Sequence, residues 1–196
     1  MSQQTDLIPD RSRTALVVID LQRGILGRGC APHAGPDVVA RANSLAAALR
    51  AAGGIVVWVH VTPSPDSKDA LKPPADAPAV TPHERPEDWA DLVPEVERRP
   101  EDLFVTKRQW GAFYGTELDL QLRRRGVGTI ILCGISTNIG VESTARCAYE
   151  LGYEQVFVED ATAARTAEEH EFTMKTNFPR MGRVRSTAQV LEALSA

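Results

Sequence analysis

The chain is poor in cysteine, has no long apolar run and carries no excess of basic residues. Its three cysteines stand at positions 30, 133 and 147, a spacing that matches neither a metal-binding pattern nor a disulfide framework, so we expect a reducing, cytoplasmic environment. Lysine and arginine total 22 against 26 aspartates and glutamates, a net charge of −4, which predicts no basic surface for nucleic acid. No apolar run approaches the roughly 18 residues of a membrane span. Residues 1–13 lack the apolar core of a signal peptide, so neither membrane insertion nor secretion is expected.

The composition that remains is that of an ordinary globular protein. Hydrophobic residues make up 43% and charged residues 24% of the 196 positions, a balance typical of soluble domains. A chain of this length has enough apolar surface to bury a full core in one domain. We therefore expect residues 1–196 to form a single domain.

Strand and helix patterns alternate along the chain. Residues 14–20 form a continuous run rich in β-branched side chains, typical of a strand buried on both faces, and residues 37–52 repeat apolar positions at helical spacing. The same patterns predict further strands at residues 55–61, 103–106, 129–133, 154–158 and 182–185, and further helices at 116–125, 138–151, 167–177 and 186–194. Repeated strand–helix units predict a three-layer, Rossmann-like α/β fold, in which a mostly parallel sheet of about six strands carries helices on both faces.

One segment interrupts this alternation. Residues 63–100 contain nine of the 13 prolines, and a connection of this length without regular structure is unusual inside a compact domain. One interpretation is a surface excursion with a short helix near residues 86–93. The other is a lid or a subunit contact over the active site, with Trp89 as its apolar anchor.

Polar residues gather where the predicted strands end. In an open parallel sheet, ligands bind beyond the carboxyl ends of the strands, so these residues are the candidates for a site. They are Asp20 and Gln22 after the first strand, His60 near the end of the second, Lys107, Arg108 and Gln109 after the third, residues 134–140 after the fourth, and Glu159 and Asp160 after the fifth.

The turn at residues 134–140 has the pattern of an oxyanion site. A hydrophobic run stops at Gly134, a short polar turn follows, and small residues open a helix. Backbone N–H groups at such a strand-to-helix turn lie at the positive end of the helix dipole, where they stabilise developing negative charge. Gly140 is expected in the first turn of this helix, facing the crevice, and it has no side chain that could act as a nucleophile.

The chain resembles the isochorismatase-like hydrolases, also called the cysteine hydrolase family, over nearly its whole length. Residues 17–22 (VVIDLQ) are similar to the family's first-strand motif with its catalytic aspartate, here Asp20. Lys107, followed by residues 111–113 (GAF) and 116–118 (TEL), is similar to the motif that carries the catalytic lysine. Residues 134–138 (GISTN) and 141–146 (VESTAR) frame the third site. The resemblance also implies a cis peptide bond between Ile135 and Ser136, and a homo-oligomer.

Position 140 separates the branches of this family. The amidase branches, such as nicotinamidase and N-carbamoylsarcosine amidase, have a cysteine nucleophile there, whereas the isochorismatases that cleave a vinyl ether have a glycine. This chain therefore resembles a glycine-bearing subgroup. Gly140 marks the position of the family nucleophile, and we expect substrate or oxyanion contacts from six residues: Gln22, Trp110, Ile135, Ser136, Thr137 and Asn138.

Some family features are missing from the sequence. Thr137 and Asn138 replace the Ala-His pair of the true isochorismatases, so the substrate-carboxylate contacts of those enzymes do not transfer. The Asp-x-His pattern that holds the nicotinamidase metal after the second strand is also missing, since the segment after His60 reads VTPSPD. We accordingly expect neither a metal nor a cofactor.

Several residues have an alternative role that the sequence leaves open. Cys30 follows Asp20 on a loop that can approach the site, whereas Cys133 and Cys147 fit buried core positions. Ser136 and Thr137 carry hydroxyls that could attack a substrate, although Thr137 fits a helix cap equally well. Gln22 can hold its loop through hydrogen bonds instead of contacting substrate. His60 fits a packed strand-end residue better than a base, and His33 and His170 have no visible partner.

Together these features predict a hydrolase of a small organic molecule that uses neither metal nor cofactor. Asp20 would move the proton, Lys107 would tune it, and the turn would bind negative charge or orient water. We expect Asp20 and Lys107 to lie within salt-bridge distance, facing this turn, and hydrolysis to survive both thiol alkylation and chelators. Two alternatives remain: an amidase with a displaced thiol, and a catalytically silent binding or scaffold protein of the same fold.

Overall fold

Six parallel strands form the centre of the computed structural model, which describes residues 7–76 and 85–195. The strands are β1 (Thr14–Ile19), β2 (Ile55–Val61), β3 (Leu103–Lys107), β4 (Thr129–Ile135), β5 (Glu154–Ala163) and β6 (Arg183–Arg185). Their order in the sheet is β3-β2-β1-β4-β5-β6, and every neighbouring pair is parallel. The prediction of a six-stranded α/β sheet is confirmed.

Helices cover both faces of this sheet. They are α1 (Arg23–Leu26), α2 (Gly35–Ala51), α3 (Leu118–Arg124), α4 (Glu142–Glu150), α5 (Ala167–Phe172) and α6 (Thr187–Ser195). Because successive strand residues point to opposite faces, Leu16 and Val18 pack in the core under α2 and α6. Val17 and Ile19 pack in a second core with α3 and α4. Within residues 7–76 and 85–195, no helix combines the length and apolarity needed to cross a membrane.

The sheet has one switch point in its strand order. The chain runs outward from β1 through β2 to β3, and then returns to the other side of β1 to form β4, β5 and β6. The carboxyl ends of β1 and β4 therefore flank the crevice where ligands bind in such folds. Asp20 follows β1 and the turn at residue 136 follows β4, so both lie at this crevice.

Several element boundaries differ from the sequence prediction. β4 continues through Gly134 to Ile135, and β5 extends to Ala163. The helix predicted from residue 138 begins as a π-helical turn at Thr137–Val141, and a second π-helical turn at Thr173–Asn177 follows α5. π-Helical turns leave no clear mark in apolar periodicity and often occur at functional sites.

The proline-rich segment is only partly described, since residues 77–84 lie outside the described ranges. Its predicted helix near residues 86–93 is a single 3₁₀ turn, Glu87–Ala90. Trp89 in this turn is buried, and its indole fills the space beside Gly24, where an added Cβ would lie 2.0 Å from Nε1. The turn thus packs on α1, the short helix that follows β1 and Asp20 in the chain. Whether the segment acts as a lid or a subunit contact remains a prediction.

Candidate active site

Asp20 and Lys107 form a buried ion pair at the carboxyl edge of the sheet. The Lys107 ammonium donates a hydrogen bond to Oδ2 of Asp20 over 2.8 Å. Asp20 is 5% exposed and Lys107 is 1% exposed. The predicted contact between these two side chains is therefore confirmed.

The backbone aims Asp20 into the crevice. Asp20 has a φ of 53°, a left-handed conformation that is uncommon for residues other than glycine. Its N–H donates to the carbonyl of Val59, over 2.9 Å. The second carboxylate oxygen, Oδ1, is buried and has no hydrogen-bond partner among the described residues. This oxygen is therefore available to accept a proton or a hydrogen bond from a substrate.

Burial controls the protonation of Asp20. Removal from water raises the pKa of this carboxyl to about 6, although the Lys107 charge and its hydrogen bond act in the opposite direction. A pKa near neutrality suits proton transfer, because the group then accepts and releases a proton within the working pH range.

Lys107 is the last residue of β3, and its side chain reaches across the end of the sheet. Its ammonium donates a second hydrogen bond, of 2.7 Å, to the carbonyl of Trp110. These two bonds employ two of the three ammonium hydrogens. Among the residues that the structure describes, the third ammonium hydrogen has no hydrogen-bond acceptor.

Gly140 faces this ion pair directly. It is buried within the π-helical turn, and a Cβ added to it would lie 3.1 Å from Cγ2 of Ile19, 3.2 Å from Oδ2 of Asp20 and 3.3 Å from Nζ of Lys107. The side-chain direction at position 140 thus points between the carboxylate and the ammonium. The turn and the ion pair form one site, as the sequence predicts.

The turn before Gly140 has the predicted backbone. The peptide bond between Ile135 and Ser136 is cis. The carbonyl of Ser136 accepts hydrogen bonds from the N–H groups of Ile139 and Val141, each of 3.1 Å. Earlier N–H groups in a helix have no carbonyl of the same helix before them, so the start of this turn retains donors for a ligand.

The predicted contact residues of the turn differ in their surroundings. Ile135 and Thr137 are buried, whereas Ser136 and Asn138 are partly exposed. The Thr137 hydroxyl lies 2.8 Å from Nδ1 of His170, a distance at which an imidazole can orient or activate a hydroxyl, so attack by this hydroxyl stays a prediction. Oδ1 of Asn138 is buried and has no partner among the described residues.

Gln22 and Trp110 support the site through hydrogen bonds, Gln22 with its side chain and Trp110 with its backbone. The Gln22 amide accepts from the N–H of Val61 (2.9 Å) and donates to the carbonyls of Val61 (3.0 Å) and Trp89 (3.3 Å). These bonds support the interpretation that Gln22 holds its loop. Trp110 is 59% exposed, and its backbone carbonyl contacts Lys107. A substrate contact by either side chain remains a prediction.

A hydrogen-bonded bridge that the sequence did not predict ties the lysine loop to the turn. The Thr144 hydroxyl donates to the carbonyl of Gly140, over 2.7 Å, and accepts from the N–H of Ala112, over 3.1 Å. Thr144 is buried in the first turn of the helix after Gly140. Its threonine identity alone carries no signal of this bridge, because the two loops meet only in the folded sheet.

His60 is a packed strand-end residue. Its two ring nitrogens lie 2.8 Å from the carbonyl of Ala90 and 2.8 Å from the hydroxyl of Thr106. Burial lowers the pKa of His60, so the ring is mainly neutral. These contacts support its structural interpretation.

None of the three thiols shows the environment of a nucleophile. Burial raises the pKa of Cys30, of Cys147 and, to about 12, of Cys133. The thiolate is the reactive form of cysteine, and reactive cysteines have a lowered pKa. The raised pKa values therefore make each of the three cysteines a poor candidate for a nucleophile.

His33 and His170 do have a partner, which corrects the sequence interpretation. Nε2 of His33 lies 2.9 Å and Nε2 of His170 lies 3.2 Å from the same oxygen, Oε1 of Glu159. Glu159 was a strand-end candidate, but the loop that carries His33 shows no periodic pattern that would place it nearby. The expectation that chelators leave hydrolysis intact depended on the sequence showing no cluster of metal-binding side chains. His33, Glu159 and His170 form such a cluster, so this reason no longer holds.

A family model and several known proteins match most of this chain. The family model described as "Isochorismatase domain" matches residues 14–189. An uncharacterized isochorismatase family protein of Escherichia coli O157:H7, YecD, is 53% identical over 92% of this chain and 96% of its own length.

Two further relatives extend the comparison. A ureidoacrylate amidohydrolase, RutB, of Methylorubrum extorquens is 35% identical over 78% of this chain and 71% of its own length. Among solved structures, that of an isochorismatase family protein from Burkholderia thailandensis superposes with a TM-score of 0.91. It is 45% identical and covers 94% of this chain and 97% of the other.

Proposed function

Since the chain belongs to the isochorismatase family and is a hydrolase, we propose that it hydrolyses a small organic molecule without a cysteine nucleophile. Asp20 acts as the proton-transfer group, Lys107 holds negative charge, and the turn at residues 135–140 orients the substrate or a water molecule. One observation carries the proposal: the side-chain direction of Gly140 points between Oδ2 of Asp20 and Nζ of Lys107.

The distances at Gly140 fit an oxygen nucleophile. An oxygen atom near the Cβ direction of Gly140 would lie about 3.2 Å from the Asp20 carboxylate and 3.3 Å from the Lys107 ammonium, both close to hydrogen-bond distance. Asp20 would take a proton from water while the water oxygen bonds to the electrophilic carbon. The π electrons of the carbonyl would move onto its oxygen as this bond forms. When the carbonyl re-forms, the bond between carbon and the leaving group would break, and Asp20 would return the proton to the leaving group. The N–H groups at the start of the turn would stabilise the oxyanion.

We propose a carbonyl compound of the amide or carbamoyl class as substrate. A buried base beside an ammonium and a helix N-terminus suits attack on a carbonyl carbon, because negative charge then develops on the carbonyl oxygen. The similarity to RutB, named a ureidoacrylate amidohydrolase, favours the same class. The second candidate is a vinyl ether, favoured by the glycine at position 140 that this chain shares with the vinyl-ether-cleaving branch.

The pH profile distinguishes these two substrates. With Asp20 as the base, kcat/KM is expected to fall about tenfold per pH unit below a pKa of about 6 and to level off above it, because only the ionised carboxylate accepts a proton. Cleavage of a vinyl ether with Asp20 as the acid requires the protonated form, so its rate would fall as the pH rises above about 6. The measurement is a set of initial rates on a panel of amides, carbamoyl compounds and vinyl ethers, taken over about two pH units on either side of this pKa.

Hydrolysis is also expected to survive thiol alkylation. Gly140 supplies no sulfur, and burial raises the pKa of all three thiols. Turnover by protein treated with iodoacetamide, and by a Cys30→Ser variant, should stay within about twofold of the untreated protein. Loss of turnover in a folded Cys30→Ser variant would contradict this expectation and favour an amidase with a displaced thiol.

Three broader statements remain predictions. They are membership of a glycine-for-cysteine subgroup, a homo-oligomeric state and a cytoplasmic location. If the panel shows no turnover with any of the three substrate classes, a silent binding or scaffold protein becomes the better explanation, since a fold alone does not establish activity.

A further inference from the structure

His33, Glu159 and His170 lie together outside the Asp20–Lys107 site, and we infer that they form a binding site for a divalent transition-metal ion such as Zn²⁺. The three ligand atoms all lie within 4.8 Å of one another. They come from three separate parts of the chain: the loop before α2, strand β5 and helix α5. None of the three belongs to the motifs at residues 17–22, 107–118 and 134–146 that identify the family.

The spacing of the ligand atoms fits a bound ion. The two histidine Nε2 atoms lie 2.9 Å and 3.2 Å from Oε1 of Glu159. Ligands on tetrahedral Zn²⁺, with metal–ligand bonds of about 2.0–2.1 Å, lie about 3.3 Å from one another. Two of the three distances between ligand atoms are therefore close to the separation that a shared ion requires.

The donor set also fits such an ion. Two neutral imidazoles and one carboxylate carry a net charge of −1, and this combination binds Zn²⁺ and related ions with an open fourth position. The side chain of His170 is 1% exposed, whereas those of His33 and Glu159 are 22% and 40% exposed. An ion could therefore enter from the solvent side, and water could supply its fourth ligand.

The surroundings hold two of the three ligands in position. Nδ1 of His170 lies 2.8 Å from the Thr137 hydroxyl, an outer contact of the kind that orients a metal-binding imidazole. Ala31, two residues before His33, exchanges two backbone hydrogen bonds of 2.9 Å with Ala164 beyond the end of β5. This bridge fixes the His33 loop beside the strand that carries Glu159.

The site would act on the catalytic turn through Thr137. This residue begins the π-helical turn that contains Gly140, so a bound ion would tie the loop, β5 and α5 to the start of that turn. Among the described residues, no hydrogen bond joins the three ligands to Asp20 or Lys107. The ion would therefore position the turn and would not take part in the proton transfer.

Titration of the metal-free, full-length protein with Zn²⁺ and with Co²⁺ tests the inference. We expect one ion per chain, a visible Co²⁺ absorption typical of tetrahedral coordination, and displacement of Co²⁺ by Zn²⁺. His33→Ala and Glu159→Gln should weaken Zn²⁺ binding by more than the roughly 10–100-fold typical of an outer contact, and Thr137→Val should weaken it within that range. Zn²⁺ should also raise the melting temperature of the unsubstituted protein but not of Glu159→Gln.

Control variants distinguish loss of the metal site from nonspecific effects of substitution on Zn²⁺ affinity and from loss of the proposed hydrolysis. Glu168→Gln changes an exposed carboxylate on the helix of His170, and His60→Gln removes an imidazole elsewhere; both should keep the unsubstituted Zn²⁺ affinity. Asp20→Asn should also bind Zn²⁺ normally, so failure of the proposed hydrolysis would leave this inference intact. Absence of stoichiometric Zn²⁺ and Co²⁺ binding would overturn it. Equal affinity in the unsubstituted protein, His33→Ala and Glu159→Gln would overturn it as well, and the cluster would then be a hydrogen-bonded one only.

Discussion

Asp20→Asn is expected to lower kcat/KM for the amide or carbamoyl substrate by about 10²–10⁴-fold, the usual contribution of a positioned general base. The asparagine amide has nearly the shape of the carboxylate but cannot accept the proton. It also leaves the Lys107 ammonium, which is 1% exposed, without its charged partner. Steady-state kinetics above pH 7, where Asp20 is mainly ionised because its pKa is about 6, measures this effect.

Three companion variants show whether the loss of activity comes from disruption of the ion pair. Asp91→Asn removes an exposed carboxylate near the same edge of the sheet and should retain full activity. Lys107→Met alone should also be severely impaired. The double variant, Asp20→Asn with Lys107→Met, should be no worse than the poorer single variant, because groups that act as one unit have non-additive effects. Circular dichroism and urea unfolding verify that each variant folds.

Retained activity in the Asp20→Asn variant would contradict the central step of the mechanism, proton transfer by Asp20. If kcat/KM fell less than about threefold, below the range of a positioned acid or base, Asp20 would have only a structural role. If the single effects of Asp20→Asn and Lys107→Met multiplied in the double variant, the two residues would act independently. Hydrolysis would then need another base.

Gly140→Cys is expected to create a reactive thiol. The Cβ would lie 3.2 Å from Oδ2 of Asp20 and 3.3 Å from Nζ of Lys107, so the sulfur would have a base and a cation beside it at the start of a helix. A cation and a helix N-terminus lower the pKa of a thiol, here below the free value of about 8.5. A fall of one pKa unit from about 8.5 increases the thiolate fraction at pH 7 about eightfold. Because a thiolate of lower pKa is a weaker nucleophile, the alkylation rate should rise about threefold.

The fold should accept this substitution. The three contacts of the added Cβ, at 3.1–3.3 Å, involve the ends of the Ile19, Asp20 and Lys107 side chains, which must shift by a few tenths of an ångström. Glycine is also a poor helix former, by roughly 0.8–1 kcal/mol relative to alanine. Little change in the free energy of unfolding is therefore expected.

The measurement is the pH dependence of alkylation in a background with both Cys30→Ser and Cys147→Ser, which removes the two partly exposed native thiols. Gly128→Cys serves as the control, because a Cβ at Gly128 meets no atom within 4 Å, and its thiol should show an ordinary pKa. Adding Lys107→Met to Gly140→Cys should return the pKa toward the free value. If Gly140→Cys reacted no faster than Gly128→Cys, the site would not be arranged for nucleophilic chemistry, and the silent-scaffold alternative would gain support.

The sequence predicts local structure well where one stretch of chain determines it. The buried run at residues 14–20 and the helical spacing at 37–52 correspond to β1 and α2, because burial on both faces and burial on one face leave different apolar periods. The prediction is poorer at residues 138–141 and 173–177. There the backbone forms π-helical turns, which neighbouring contacts impose and the apolar period does not record.

For the candidate site, the sequence determined which residues stand at strand ends, and family motifs singled out Asp20, Lys107 and Gly140. Only the tertiary structure brought them together: it set the strand order, placed Nζ of Lys107 2.8 Å from Oδ2 of Asp20, and directed Gly140 between them. The raised pKa of Asp20 is likewise a product of burial. His33 and Glu159 lie 126 positions apart in the chain, and no local pattern records a contact over that distance. The sequence thus specifies the functional group at each position. The distances between these groups, and their removal from water, arise only when distant segments pack against one another.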